Sequence, residues 1–160
     1  MQDFIWICGA SCVGKKTLIE KLSRNEGELR LRFAIIGSFF ACGPGLDRAE
    51  ASIQASELAD MKDDHIAIKW QWIHKGIPQQ LRLLRPDARH RVILVYRPFA
   101  EHFAAVQQRN PEWGWDAERV TRERESAREF CRVLSGDGFP VEAVDGTDVA
   151  YRRIEDPGRP

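Results

Sequence analysis

Apolar residues fall along this chain in two alternating rhythms. Phe4 to Cys8 is a short continuous apolar run of the kind shown by a strand covered on both faces. Gly9 to Gly14 interrupts it, and KKTLIEKL then takes up helical spacing through Leu18, Ile19 and Leu22. A second β-rich centre lies at Phe33 to Ile36, followed by a loop marked by Gly43, Pro44 and Gly45, and a helix is expected from Asp47 to about Met61. HIAIKWQWI alternates, with Ile66, Ile68, Trp70 and Trp72 on one face and Ala67, Lys69 and Gln71 on the other, which predicts a strand with one polar side near its carboxyl end. Gly76 and Pro78 open a short helix through Leu84, and Pro86 ends it. RVILVYRP is another fully apolar strand, helical spacing resumes at Phe99, Phe103 and Val106, and a charged helix is expected from about Asp116 to Leu134 after the turn-like NPEWGW. GFPVEAVDG supplies a last strand ending at Gly146, with a short helix expected after it and a loose tail over 155–160.

Five strands separated mostly by helices predict an α/β domain with a mostly parallel sheet, because parallel neighbours need crossover connections. Ligands of such sheets collect at the strand carboxyl ends. With 160 residues the chain is long enough for one cored domain, expected over 1–154, and too short for two ordinary ones. Its 24 basic and 24 acidic side chains balance, so no global field draws it to nucleic acid or to an anionic membrane, and any anion site is local. The four cysteines, Cys8, Cys12, Cys42 and Cys131, lack the paired spacing of a zinc site, and no secretory leader precedes them, so reduced thiols in the cytoplasm are expected. No apolar run reaches membrane-spanning length.

Gly9, Gly14 and Lys15 fit the pattern G-x-x-x-x-G-K in its required context, with a buried strand before it and a helix after it. Glycines let the backbone curl so that successive N–H groups face phosphate oxygens, the helix amino terminus adds partial positive charge, and the lysine reaches the terminal phosphates. The cradle predicted from this spacing is Gly9, Ala10, Ser11, Cys12, Val13, Gly14, Lys15, Lys16 and Thr17. Lys16 stands where a hydroxyl usually meets magnesium, and Thr17 follows it.

GASCVGKKTLIEKL resembles the start of P-loop kinases of the nucleoside monophosphate kinase superfamily, in particular guanylate kinases and the ribose bisphosphate phosphokinases related to them. The resemblance implies a three-layer P-loop NTPase fold with a short lid, ATP as donor, Mg2+ held by Thr17, and a small phosphate-bearing acceptor. VILVYRPFAEHFAAVQQR is similar to the fourth strand and following helix of these enzymes, with Arg109 matching the lid arginine and Ala105 replacing the arginine that packs on the base. The resemblance makes NPEWGWDAERVTRERE a reduced lid, in which Arg109, Arg119 and Arg122 clamp the transferring group; the other reading of the helix arginines is a solvated face paired with Glu118, Glu123 and Glu125. FPVEAVDGT resembles the final strand and adenine-holding loop, with Asp145, Gly146 and Thr147 in the matching positions, although Asp-Gly-Thr is also an ordinary turn. HIAIKWQWIHKGIP resembles the segment of ribose bisphosphate phosphokinases leading to the acceptor, which implies Lys69, Gln71, His74 and Lys75 there.

The strand ends IIGS, AIKW and LVYR carry none of the aspartates that position magnesium in many P-loop proteins, Asp63 and Asp64 precede their strand, and Ser38 is a candidate helper. Cys12 is either a small loop-filling residue or a redox-sensitive thiol; Trp113 and Trp115 either stack on a ligand or anchor the lid. His65, His90 and His102 are scattered without ligand spacing. Two functions remain open at this point: ATP-dependent phosphoryl transfer to a small phosphorylated or hydroxylated acceptor, or a nucleotide-binding module with a switch or assembly role. A dinucleotide oxidoreductase is disfavoured, since the loop has the lysine and lacks G-x-G-x-x-G.

Overall fold

The structure is a computed structural model that describes residues 1–23, 34–36, 55–69, 76–148 and 151–154. Strand β1 (Asp3–Cys8) runs through the middle, and the loop after it leads into α1 (Lys15–Ser23). β2 (Ala34–Ile36), helical residues 55–59 (α2), β3 (His65–Lys69) and α3 (Gly76–Leu84) complete the first half. β4 (Arg89–Tyr96), α4 (Phe99–Arg109), a 3-10 turn at Pro111–Trp113, α5 (Ala117–Gly136), β5 (Val141–Asp145) and β6 (Arg153–Ile154) follow.

The strands lie in the order β2-β3-β1-β4-β5-β6. The first five are parallel, as the alternation of strand and helix requires, and β6 pairs antiparallel with β5. A short helix was expected after Gly146; Arg153–Ile154 instead returns as this edge strand, with Ile154 level with Ala143. Two residues hold too few turns for a helix, and pairing with β5 gives their backbone groups partners.

All six residues of β1 are buried because helices cover both faces of the sheet. Phe4, Trp6 and Cys8 join Ile66, Ile68, Val92 and Leu94 in a cluster closed by Ala55 and Leu58 of α2, Ile77 and Leu81 of α3, and Phe130, Cys131 and Leu134 of α5. Ile5 and Ile7 join Ile93, Val95 and Val144 on the other face, under Leu18 and Ile19 of α1. Three layers result. On the other side of β3 Ala67 is buried and Lys69 is half-buried, while Gln71 lies outside the described residues. Between β1 and β4 the connections leave toward opposite sides, which opens a crevice at the strand carboxyl ends, where the glycine loop lies.

At the opposite end, Asp3 takes two bonds from Arg89, at 2.6 and 2.9 Å, and faces His65 at 3.0 Å. A cavity of about 420 Å³ lined by Arg82, Arg89, His90 and Arg91 opens there, but Asp3 and Glu142 neutralise two of its arginines.

Candidate nucleotide-binding site

Sequence dictates the curl of the loop. Gly9 has φ +149°, and a Cβ there would lie 2.7 Å from the Val95 carbonyl oxygen and 2.8 Å from Val13 Cγ2, so only glycine lets the chain leave β1 this close to β4. Cys12 takes a left-handed φ of 65°, a conformation that non-glycine residues hold when their surroundings enforce it.

Those surroundings grip the loop by its carbonyl oxygens. Buried His102 of α4 meets the Ser11 oxygen at 2.6 Å through Nε2, and Arg97, just past β4, donates to the Cys12 oxygen at 3.2 Å. The Tyr151 hydroxyl donates to the Gly14 oxygen at 3.1 Å, and Asn110 Nδ2 donates to Cys12 Sγ at 3.3 Å. These bonds take up the Ser11, Cys12 and Gly14 carbonyl oxygens, acceptors that would otherwise repel an anion at the loop.

Lys15 turns inward. It is 3% exposed, and its ammonium donates to the Gly9 and Ala10 oxygens at 2.5 and 2.6 Å. Burial lowers its pKa to about 7, helped by the positive charge of Lys69 and opposed by Cys8, Cys12 and Glu123. The ammonium thus sits at the loop on two neutral carbonyl oxygens, and among the described residues it forms no ion pair with a carboxylate.

His102 must be the neutral Nε2–H tautomer: a carbonyl only accepts, so Nε2 donates to Ser11, while Nδ1 accepts from Arg124 Nη1 at 3.1 Å. Burial depresses its pKa to about 4, and nearby Arg124, Lys15 and Arg97 push the same way. Arg124 also donates to the Arg97 oxygen at 2.7 Å, which ties α5 to the end of β4. One turn of this network therefore positions loop, α4 and α5 together.

The predicted base loop lies against the predicted phosphate loop. Gly146 N donates to the Tyr96 oxygen at 2.6 Å, and Gly146 packs on the Val13 oxygen. Asp145 Oδ1 accepts from Thr147 N and Oγ1 at 2.9 and 2.6 Å, closing the turn. Thr17 is exposed at the start of α1, with the Tyr151 hydroxyl beside it, and Lys16 points out toward Glu20 at 3.9 Å. Gly9 to Thr17 and Asp145 to Thr147 are thus brought to one place.

The arginines are spread more widely. Arg109 is exposed at the end of α4, next to Asn110, which reaches Cys12. Arg119 pairs with Glu123 at 3.1 Å and lies over Trp115 at 5.2 Å, while Arg122 is exposed. Trp113 and Trp115 pack on each other at 4.7 Å, and Gln107 donates to the Trp115 oxygen, so both indoles belong to the turn that joins α4 to α5. Ser38, Cys42, Trp70, Gln71, Trp72, His74, Lys75 and the tail over 155–160 lie outside the described residues.

Sequence reasoning missed His102, Arg97, Asn110 and Tyr151, and it set Glu123 on a solvated face, where the structure keeps its pairing with an arginine but buries it. His102 had a signal: it shares the buried face of α4 with Val106, four residues on. Arg97 follows a strand carboxyl end, where ligands gather. Glu123 is 6% exposed beside Arg119, and burial raises its pKa against the opposing charges of Arg119, Lys15 and Arg122.

Magnesium fits these residues poorly. Among the described residues no group of three or more His, Cys, Asp or Glu side chains gathers. The strands flanking the loop, β1, β3 and β4, end in Cys8, Lys69 and Tyr96 and offer no carboxylate. Asp145, at the end of β5, already accepts from Thr147 through Oδ1, and Thr17, expected from the sequence to meet the ion, is exposed at the start of α1.

No protein-family model and no curated protein sequence matches the chain. Solved structures do. The YorR protein of Bacillus subtilis, in complex with phosphorylated GDP, is similar at a TM-score of 0.64 and 16% identity over 91% of this chain and 86% of that one. Deoxyadenosine kinase from M. mycoides, with bound dATP, is similar at 0.58 and 14% identity over 91% and 93%. A gluconokinase from Sinorhizobium meliloti is similar at 0.55 and 14% over 91% and 83%. At these identities the likeness establishes the fold, which is the three-layer α/β fold of P-loop kinases.

Proposed function

We propose that this chain is a P-loop kinase that moves the terminal phosphoryl group of ATP to a small phosphorylated or hydroxylated acceptor, a nucleotide or sugar phosphate. The observation that carries the reading is the inward ammonium of Lys15, held by Gly9 and Ala10 in a loop whose Ser11, Cys12 and Gly14 carbonyls are gripped from outside. Such a cradle is preorganised for a polyanion, and preorganised charge is what phosphoryl transfer needs most. The solved structures of similar fold include kinases named for a nucleoside and for a sugar acid.

In this reading Lys15 leaves its two carbonyls for oxygens of the terminal phosphates, and the N–H groups of Gly9 to Thr17 hold the tail. Asp145, Gly146 and Thr147, of which Gly146 packs on Val13, flank the base. An acceptor oxygen attacks the γ-phosphorus, the bond to the β,γ-bridging oxygen breaks, and ADP leaves. Arg109, Arg119 and Arg122 meet the charge on the transferring group, Arg119 by leaving Glu123. Thr17 is the residue that would meet magnesium.

A second reading, a nucleotide-binding switch or assembly module with little turnover, is favoured by the missing carboxylates at the ends of β1, β3 and β4. Titration of ATP binding, followed by ADP release measured across nucleotide and sugar phosphate acceptors, separates the two. The kinase reading expects acceptor-dependent release that Lys15→Met abolishes; binding without acceptor-dependent release leaves the module.

A further inference from the structure

Lys69 occupies a position of unusual consequence. It closes β3, and the register pairs it with Ile7, two residues before Gly9. Alternation along the strand sends Ile66 and Ile68 into the cluster of Phe4 and Trp6, so Lys69 belongs to the other face, with Ile5 and Ile7. That face is covered by α1, whose first residue is Lys15. Lys69 is accordingly the foremost cationic neighbour of the Lys15 ammonium. It is partly exposed, and among the described residues it forms no ion pair with a carboxylate.

Two ammoniums on one side of the loop repel each other until an anion comes between them. A divalent cation arriving at the same spot meets both charges, and the end of β3 gives it no carboxylate. Lysine there does the opposite of what a metal-positioning acid does: it neutralises phosphate charge itself.

We infer that Lys69 is a second phosphate-binding lysine, and that Lys15 and Lys69 together let the loop take a triphosphate tail free of metal. The inference rests on the polyphosphate-cradle part of the function proposed above. Its ligand class is a nucleoside triphosphate or an inorganic polyphosphate, recognised through its chain of phosphate oxygens.

Calorimetric titration of the full chain with inorganic tripolyphosphate and with ATP, each in EDTA and in magnesium, tests it. The wild-type chain should bind tripolyphosphate in EDTA, and magnesium should not tighten that binding. Lys69→Met and Lys69→Gln should each weaken binding in EDTA by about tenfold, the worth of one charge-assisted hydrogen bond. Lys69→Arg, which keeps the charge, should stay within about threefold of wild type. Far-UV circular dichroism confirms that each variant is folded. Unchanged tripolyphosphate affinity in both neutral variants, or wild-type binding that appears only with magnesium, overturns the inference. ATP binding that ignores Lys69 overturns it and leaves the kinase reading standing. Lys69-dependent binding of tripolyphosphate without any binding of ATP supports it and removes ATP as the donor.

Discussion

A Cβ on Gly146 would lie 2.1 Å from the Val13 carbonyl oxygen, 3.0 Å from Val95 Cγ1 and 3.3 Å from the Tyr96 oxygen. Two of those three atoms are backbone, and the Val13 oxygen belongs to the phosphate loop, so a methyl group can be admitted only by moving the loop or β5. Gly146→Ala should therefore destabilise the chain by about 1–3 kcal/mol, the usual cost of overpacking, and weaken ATP binding as well. Urea melts and ATP titration measure the two effects; retention of both would mean that the base loop does not rest on the phosphate loop. His102 acts at the same scale without meeting a ligand. Replacing it with leucine removes its hydrogen bonds to the buried Ser11 oxygen and to Arg124 Nη1, at a cost of about 1–3 kcal/mol. We expect His102→Leu to lower both stability and ATP affinity, and His102→Gln, which keeps a donor, to recover part of the affinity.

At the scale of elements, α5 explains why some of the site was legible and some was not. Asp116 caps it by accepting from Arg119 N at 2.8 Å, and Val120, Ala127, Phe130, Cys131 and Leu134 face the core, as the spacing of apolar residues predicts. Glu123 lies on the same buried stripe, between Val120 and Ala127. Its partner Arg119 stands four positions earlier on the same helix, so the pair is legible from spacing, whereas the burial of Glu123 is not, because periodicity assigns a charged residue to the solvated face. The β1-loop-α1 unit was legible because its glycines, lysine and flanking apolar residues act on one another within a few positions. Tyr151 lay beyond sequence reasoning, since its hydroxyl meets Gly14, 137 positions away. The helix expected after Gly146 failed likewise, because β6 depends on the edge that β5 presents to it. Arg109 ends α4 exposed and forms no ion pair among the described residues, whereas Arg119 is paired with Glu123. Arg109→Ala should therefore stay within about 0.5 kcal/mol of wild-type stability. If Arg109 clamps the transferring group, the same variant should lose tenfold or more in kcat with KM for ATP nearly unchanged, as steady-state ADP release would show. Equal losses in stability and kcat would instead make it a structural residue.

For the molecule as a whole, the two ends of the sheet share a response to acid. His90, near the amino ends of the strands, accepts from Trp6 Nε1 at 3.4 Å and stacks on Phe4, and its pKa is depressed to about 4, first by burial and then by Arg82. His102, at the phosphate loop, is also depressed to about 4, first by burial. In the unfolded chain both return to about 6.5. Between those values the unfolded state binds the proton and the folded state does not, so stability falls as the pH is lowered from about 6.5 toward 4. Each histidine contributes up to about 3 kcal/mol to that loss, most of it below pH 6. Glu123 works the other way: its raised pKa lets the folded form take up a proton before the unfolded form does, which offsets part of the loss at the acid end. Lys15, lowered to about 7, adds its own slope only above that pH. Urea melts at pH 7, 6 and 5 should thus show a midpoint that falls steadily with acid. In His102→Gln, already less stable at neutral pH, the slope should be about half as steep, because one of the two titrating rings is gone. A midpoint indifferent to pH over that range would mean that the rings are charged or solvated in the folded chain, and with it would go the Nε2–H tautomer through which His102 holds the loop.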